Sequence, residues 1–319
     1  METNGKKPIS YMSPKWKIKH LVGKISRLFV STLNFSPGSN FKEGIVAHVV
    51  TRDDMWFCEA IVSTSSFVDE YLVVDSSKNE FAKYNQKVLQ TFAENRHTYI
   101  KKDVDQRTAR QILHKMSERK WILHLDGDMI AVDNGPNSAD FLFSYIHNIK
   151  SSKYYDVYFP LLFMGDSFEV AQSPPYGYED WIYSNFKNFE WTDRKLDLPG
   201  IPLRFRKILI DVPFFIHMNR LYSDEKYYEK EASIKWQNKE NQKKYGTFQA
   251  FLQYIQQTAE PYRRPNNYIP YSDHFGNLPT LVSRFVGKDR NKIISEKLEE
   301  IYNMIIPYEK QSRITEKND

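Results

Sequence analysis

Short apolar runs alternate with helically spaced apolar positions through the first half of the chain. Ile45–Val50, Tyr71–Val74, Thr98–Ile100 and Trp121–Leu125 have the length and the β-branched or aromatic content of strands. Between them, Trp56–Val62, Phe81–Glu94 and Gln106–Ser117 repeat apolar residues every three or four positions, the period of an amphipathic helix. Strand, helix, strand, helix at this spacing predicts a parallel sheet with right-handed crossovers. Ser138–Ile149 predicts a further helix capped by Ser138, and Tyr154–Met164 a further strand. Beyond that the pattern weakens. Gly165–Trp191, rich in aromatics, Pro and Gly, reads as loops around a pocket, and Ile208–Met218 as one more strand. Asp224–Asn241, Phe248–Gln257 and Lys292–Ile306 read as helices, with an irregular Pro261–Pro279 and a frayed tail at Tyr308–Asp319.

These patterns divide the chain into three units: residues 1–40, 41–220 and 221–319. The first is lopsided in charge, with Lys6, Lys7, Lys15, Lys17, Lys19, Lys24 and Arg27 against Glu2. Ile18, Leu21, Val22, Ile25, Leu28 and Phe29 fall on one helical stripe, with the basic residues largely off it. Such a helix over residues 13–33 either lies on an anionic membrane surface or docks on the domain. Ser36-Pro37-Gly38-Ser39-Asn40 breaks the pattern and marks a boundary.

Composition narrows the class. A chain of 319 residues with 41% hydrophobic and 27% charged residues has the make-up of a globular protein with a sizeable core. Cys58 is the single cysteine, which leaves no internal disulfide and fits a reducing, cytoplasmic compartment. No apolar run approaches the roughly 18 residues a spanning helix needs, and the N-terminus lacks a signal-peptide pattern. A net charge of +5 is too mild to argue for nucleic acid.

The chemistry gathers at Lys120–Asp133, KWILHLDGDMIAVD. An apolar run there ends in Asp126-Gly127-Asp128, which places two carboxylates at the carboxyl end of a strand. That is where ligands bind in open α/β sheets. Gly127 lets the backbone bend so that both carboxylates face one point. Two hard oxygen ligands aimed together suit Mn²⁺ or Mg²⁺, particularly one that also holds a diphosphate. The plainer reading is an Asp/Gly turn that merely ends a strand.

Ile45–Asp133 resembles the nucleotide-sugar half of a family 2 glycosyltransferase with the GT-A fold. The matching pieces are VVTRDD after the first strand, VDEYLVVDSS at the second, and TARQILHKMSERKWILHLDGD at the helix-strand-DxD unit. The resemblance implies an α/β, Rossmann-like, mostly parallel sheet flanked by helices, with a mainly helical or irregular C-terminal extension. It implies a nucleotide-diphosphate sugar donor, foremost a UDP-sugar, and a hydroxyl acceptor on a glycan, lipid-linked molecule or protein. The Thr51-Arg52 loop and Asp75 would contact the nucleoside, and Arg110 would face the nucleotide. Asp126 would contact the ribose or the metal, beside Gly127, and Asp128 would bind the metal. The chain departs from the family pattern at Asp53-Asp54, where Asn-Glu is common, and at Gln111, where Asn is common.

Further along, Tyr178-Glu179-Asp180-Trp181 is similar to the Glu-Asp pair that many family 2 enzymes place at a helix start beside the acceptor. A base is needed because a neutral sugar hydroxyl is a weak nucleophile. Asp180 is the first choice, Glu179 the second and Asp166 an outsider, against a reading in which acids simply favour a helix N-terminus. His217, at a strand end, resembles the position from which some members supply an extra metal ligand; a structural histidine is the plainer reading. Arg204 and Arg206 lie just upstream, within reach of phosphate or solvated on the strand.

Three rivals use related parts. A haloacid-dehalogenase-type phosphotransferase wants Gly-Thr after the second Asp, but Met129-Ile130 stand there. A sugar nucleotidyltransferase wants a Gly-rich loop after the first strand, and Thr51-Arg52-Asp53-Asp54 has no glycine. A non-catalytic carbohydrate-binding or membrane-peripheral scaffold would have no need of an intact DGD.

Overall fold

The computed structural model describes residues 41–149, 154–165, 167–172, 175–186, 205–218, 221–236, 238–258, 268–272 and 278–315. The basic N-terminal segment, Asp166 and Arg204 lie outside the described residues. The elements run β1 (Lys42–Thr51), α1 (Phe57–Thr64), β2 (Glu70–Asp75), α2 (Asn79–Phe92), β3 (His97–Lys101), α3 (Gln106–Met116), β4 (Arg119–Asp126), β5 (Met129–Ala131) and α4 (Ala139–Asn148). After them come β6 (Tyr155–Phe163), β7 (Val170–Gln172), β8 (Tyr176–Ser184), β9 (Arg206–Leu209) and β10 (Phe215–His217). The chain then continues through α5 (Asp224–Trp236), α6 (Lys239–Tyr245), α7 (Phe248–Thr258), β11 (Tyr268–Pro270) and α8 (Arg290–Thr315).

Among the described residues the main sheet has nine strands in the order β3-β2-β1-β4-β8-β6-β10-β5, with β9 also on β6. Pairing among β1, β2, β3 and β4 is parallel, as is that of β6 with β9 and β10. β8 runs antiparallel between β4 and β6, and β5 antiparallel to β10. This is an α/β, mostly parallel sheet flanked by helices, consistent with a GT-A-like fold that carries a helical C-terminal region.

Alternation along the strands divides the core into two layers. Ile45, Ala47 and Val49 of β1 join the larger cluster with α1, α2, α4 and α8, while Val46 joins Ala109 and Leu113 of α3 on the other face. Local signals set the helix starts. The Asp105 carboxylate accepts from Thr108 N at 2.8 Å to begin α3, and Ser138 Oγ accepts from Asp140 N to begin α4. The C-terminal third contributes to the same core through Val282, Phe285, Ile293 and Ile301. Glu59 of α1 and Lys297 of α8, 5% and 1% exposed, join at 2.6 Å inside it, and Lys297 lies 5.3 Å from the Trp56 ring centroid.

Six expectations about local structure are corrected, two of them in the C-terminal third: the helix expected over Asp224–Asn241 is two, α5 and α6, and α8 continues to Thr315 through the tail expected from Tyr308. Gly165–Trp191 is not all loop: it contains β7 and β8. Tyr178–Trp181 consequently lies within a strand, not at a helix start. Tyr, Trp and Ile favour a half-buried pleated surface, and that preference prevails over the Pro and Gly around them. Ile208–Met218 is two short strands rather than one. Pro213 has no N–H to give a ladder and restricts the residue before it, so the chain leaves β6 at Asp211 and returns at Phe215. The irregular Pro261–Pro279 contains β11, paired antiparallel with β7.

Candidate metal and nucleotide site

Register brings the three polar strand ends together. Val50 pairs with Val74 on one side and Asp126 on the other, and Thr51 pairs with Asp75, so β1, β2 and β4 end at one edge. Beyond Asp126 the chain turns at Gly127 into β5, whose Met129 lies opposite His217 of β10. Met218 N donates to the Asp128 carbonyl at 3.0 Å, which clips the turn to the far half of the sheet.

The expected reason for Gly127 changes. Its φ is ordinary, so no left-handed bend is involved. What it needs is space: a Cβ there would lie 2.7 Å from Asp54 Oδ2 and 2.8 Å from Thr51 Oγ1. The Asp126-Gly127-Asp128 turn therefore rests directly on the loop after β1. In that loop Asp53 holds the left-handed φ of 52°, a conformation aspartate tolerates. Asp53 N donates to Ser77 Oγ at 2.6 Å, and Lys78 N donates to Asp53 Oδ1 at 2.6 Å. The loops after β1 and β2 are thereby tied.

Asp126, Asp128 and His217 can each present one ligand atom with all three atoms within 4.8 Å of one another. Asp128 is fully buried, and its Oδ1 accepts no hydrogen bond among the described residues; His217 Nε2 is 3.4 Å from it. A buried carboxylate oxygen without a donor is costly unless a cation completes it, so these residues fit a divalent ion. Burial works to raise the Asp128 pKa, but His217 and then Lys230 outweigh it and hold the carboxyl below its ordinary value. Asp126 is partly open at 23% exposure and forms an ion pair with Arg110.

Several residues expected at a nucleotide are turned to other partners. Arg110 is buried, donates to the His48 carbonyl at 2.8 Å and pairs with Asp126. Thr51 is buried and donates to Asp54 Oδ2 at 2.9 Å. Arg52 is half exposed and pairs with Asp103 at 2.8 Å. Asp75 is fully buried, accepting from Ser77 N, Asn85 Nδ2 and Tyr99 Oη at 2.6, 2.9 and 2.6 Å. Arg206 is exposed at the start of β9. Asp180 is only 3% exposed, and burial followed by the Asp156 carboxylate pushes its pKa well above the ordinary range. Glu179, its neighbour on β8, is half-buried.

Asp54, Tyr222, Lys226 and Lys230 also stand at this edge, beyond the expected site residues. Asp54 accepts from Thr51 Oγ1, from Arg52 N and, at 3.0 Å, from Tyr222 Oη. Burial and then Asp128 raise its pKa, with Lys230 opposing. Lys226 Nζ donates to the Arg52 carbonyl at 3.0 Å and lies 3.4 Å from Asp53 Oδ2. Lys230 Nζ donates to Asp128 Oδ2 at 2.6 Å and lies 3.9 Å from Asp54 Oδ1. Asp54 had a signal in the doubled acid after β1. The lysines of α5 had none, because paired lysines on a charged helix normally mark a solvated face.

No protein-family model and no curated protein matches the sequence. Among solved structures, the chain is similar to two crystal structures of S. aureus TarS. One superimposes with a TM-score of 0.38 and 12% identity over 59% of this chain and 39% of that chain. The other, of TarS 1–349, gives a TM-score of 0.37 and 10% identity over 59% of this chain and 64% of that chain. The chain spans less than two thirds of the length of either.

Proposed function

We propose that the chain is a divalent-cation-dependent glycosyltransferase that moves a sugar from a nucleoside-diphosphate donor, a UDP-sugar in the first instance, to a hydroxyl acceptor with inversion. One observation carries the reading: Asp126, Asp128 and His217 converge within 4.8 Å at the carboxyl edge of a mostly parallel sheet. Two carboxylate oxygens and one imidazole nitrogen suit Mn²⁺ better than Mg²⁺, which prefers an all-oxygen shell. When bound, such an ion neutralises charge on a departing diphosphate as a Lewis acid.

The protein's own groups then divide the work. Arg110 fixes the Asp126 carboxylate by ion pairing from the buried side, and Met218 N fixes the Asp128 backbone. Asp75 is a positioning residue: by accepting from Ser77 N it holds the loop against which the nucleoside would rest. For the acceptor proton, burial and then the nearby Asp156 carboxylate push the Asp180 pKa well above the ordinary carboxylate range, which disfavours the ionised form a base needs. The role passes to Glu179, the more open member of the pair. General-base assistance of this kind contributes about 10²–10⁴-fold.

Release of UDP from a panel of UDP-sugars tests the reading. Turnover should require Mn²⁺, vanish in Asp128→Ala, and fall by about 10² or more in Glu179→Gln with nucleotide affinity unchanged. Release that survives a chelator contradicts the cation role.

A further inference from the structure

The seat for a cation at Asp128 already has a cation beside it, and that cation belongs to the chain. Lys226 and Lys230 are four residues apart on α5 and so share one helix face. That face meets the acid edge: Lys226 against Asp53, Lys230 against both Asp128 and Asp54. Apolar packing of α5 is directed elsewhere, with Ala232, Tyr228 and Trp236 clustering on Phe251 and Ile255 of α7. The helix is thus carried by its own small helical core and reaches the site by long, flexible side chains.

Lys230 is one-third exposed and stands 5.3 Å from the Tyr222 ring centroid, on a flexible four-carbon stem. Burial works against its charge, but Asp128 and Asp54 hold the ammonium protonated. An ammonium 2.6 Å from Asp128 Oδ2 and a divalent ion on the same carboxylate repel each other, because like charges at close range destabilise both. An ion held by Asp126, Asp128 and His217 therefore displaces Lys230. Once displaced, the ammonium needs an anion, and the diphosphate brought by that ion is the anion that arrives.

We propose that Lys230 is an exchange residue: it competes with the divalent cation for Asp128 when no nucleotide is present, and binds the diphosphate once the cation has taken its place. The proposal rests on the nucleotide-sugar reading. It makes two affinities move in opposite directions when the charge is removed, which a merely structural role does not do.

The test is a pair of titrations on the full chain, Mn²⁺ alone and then UDP in saturating Mn²⁺, for the wild type, Lys230→Gln and Lys230→Arg. Lys230→Gln should bind Mn²⁺ more tightly and UDP more weakly, each by about tenfold, a coupling of ordinary size between two sites. Lys230→Arg, which keeps the charge, should bind UDP like the wild type. Should Lys230→Gln fail to fold, amide hydrogen exchange on the wild type reads the same event: α5 should exchange faster when Mn²⁺ is added alone and more slowly once UDP follows. Unchanged or weaker Mn²⁺ binding in Lys230→Gln, unaffected UDP binding, or exchange in α5 that ignores Mn²⁺ overturns the exchange and leaves the donor reading standing. Failure of the wild type to bind either Mn²⁺ or UDP overturns both together.

Discussion

Single residues at the sheet edge are governed by space and charge in equal measure. Gly127 shows the first. An added methyl group would lie 2.7 Å from Asp54 Oδ2 and 2.8 Å from Thr51 Oγ1, and neither side chain is free to withdraw, because Thr51 and Asp54 bond to each other. Gly127→Ala should therefore lower stability by about 1–3 kcal/mol, as overpacking of a tight site does, and should weaken Mn²⁺ binding by moving Asp128. Denaturant unfolding and a Mn²⁺ titration check the two parts; a variant with wild-type values for both would mean that the turn does not rest on the loop. Arg110 shows the second. A buried guanidinium needs acceptors, and the His48 carbonyl with Asp126 provides them, so its position follows from charge neutralisation inside the fold.

Among elements, the parallel half of the sheet was legible in the sequence because β1, β2 and β4 are buried on both faces and read as near-continuous apolar runs. Register then did the rest, since parallel strands deliver their carboxyl ends to one edge. The antiparallel half was hidden for a physical reason. β8 lies in mid-sheet yet carries Glu179 and Asp180, and Tyr183 lies opposite Asp156 on β6, so its polar positions interrupt the apolar continuity. Pro213 splits the one expected strand into β9 and β10, because its nitrogen has no N–H to give a ladder. The reach of α5 back to Asp128 left no trace in local pattern, because it depends on where the helix is carried. A prediction about elements concerns α8, which is fastened to α1 by Lys297 and Glu59 inside the core. Glu59→Ala leaves the buried Lys297 ammonium with Glu300 as its remaining carboxylate, at 2.9 Å, and should cost about 1–3 kcal/mol, whereas Glu59→Leu with Lys297→Met should come close to neutral. Unfolding free energies of the two variants decide it; equal losses would show that packing rather than charge sets the cost.

At the scale of the whole molecule, buried histidines couple the fold to pH. His48, His114 and His124 are all buried, and burial holds the pKa of each below the ordinary histidine value, with His114 at about 4. In the unfolded chain they titrate near 6.5, so the unfolded state takes up protons first as pH falls. Stability should be level with respect to these groups above pH 6.5. It should then drop progressively toward pH 4, by about 1.4 kcal/mol per pH unit for each histidine that remains neutral in the folded state. Melting temperatures between pH 8 and pH 4.5 measure this, and a profile that stays flat below pH 6.5 would contradict it.

The proposed function requires three loops and two halves of the sheet, which meet at one edge, to seat a divalent ion and the diphosphate it carries. Diffraction from crystals grown with Mn²⁺ and UDP, recorded at a wavelength where manganese scatters anomalously, tests that most directly. One strong anomalous peak should appear, bounded by Asp126, Asp128 and His217, with diphosphate oxygens beside it and Lys230 turned from Asp128 toward them. A peak elsewhere, or ordered UDP at this edge with no metal beside Asp128, would contradict it.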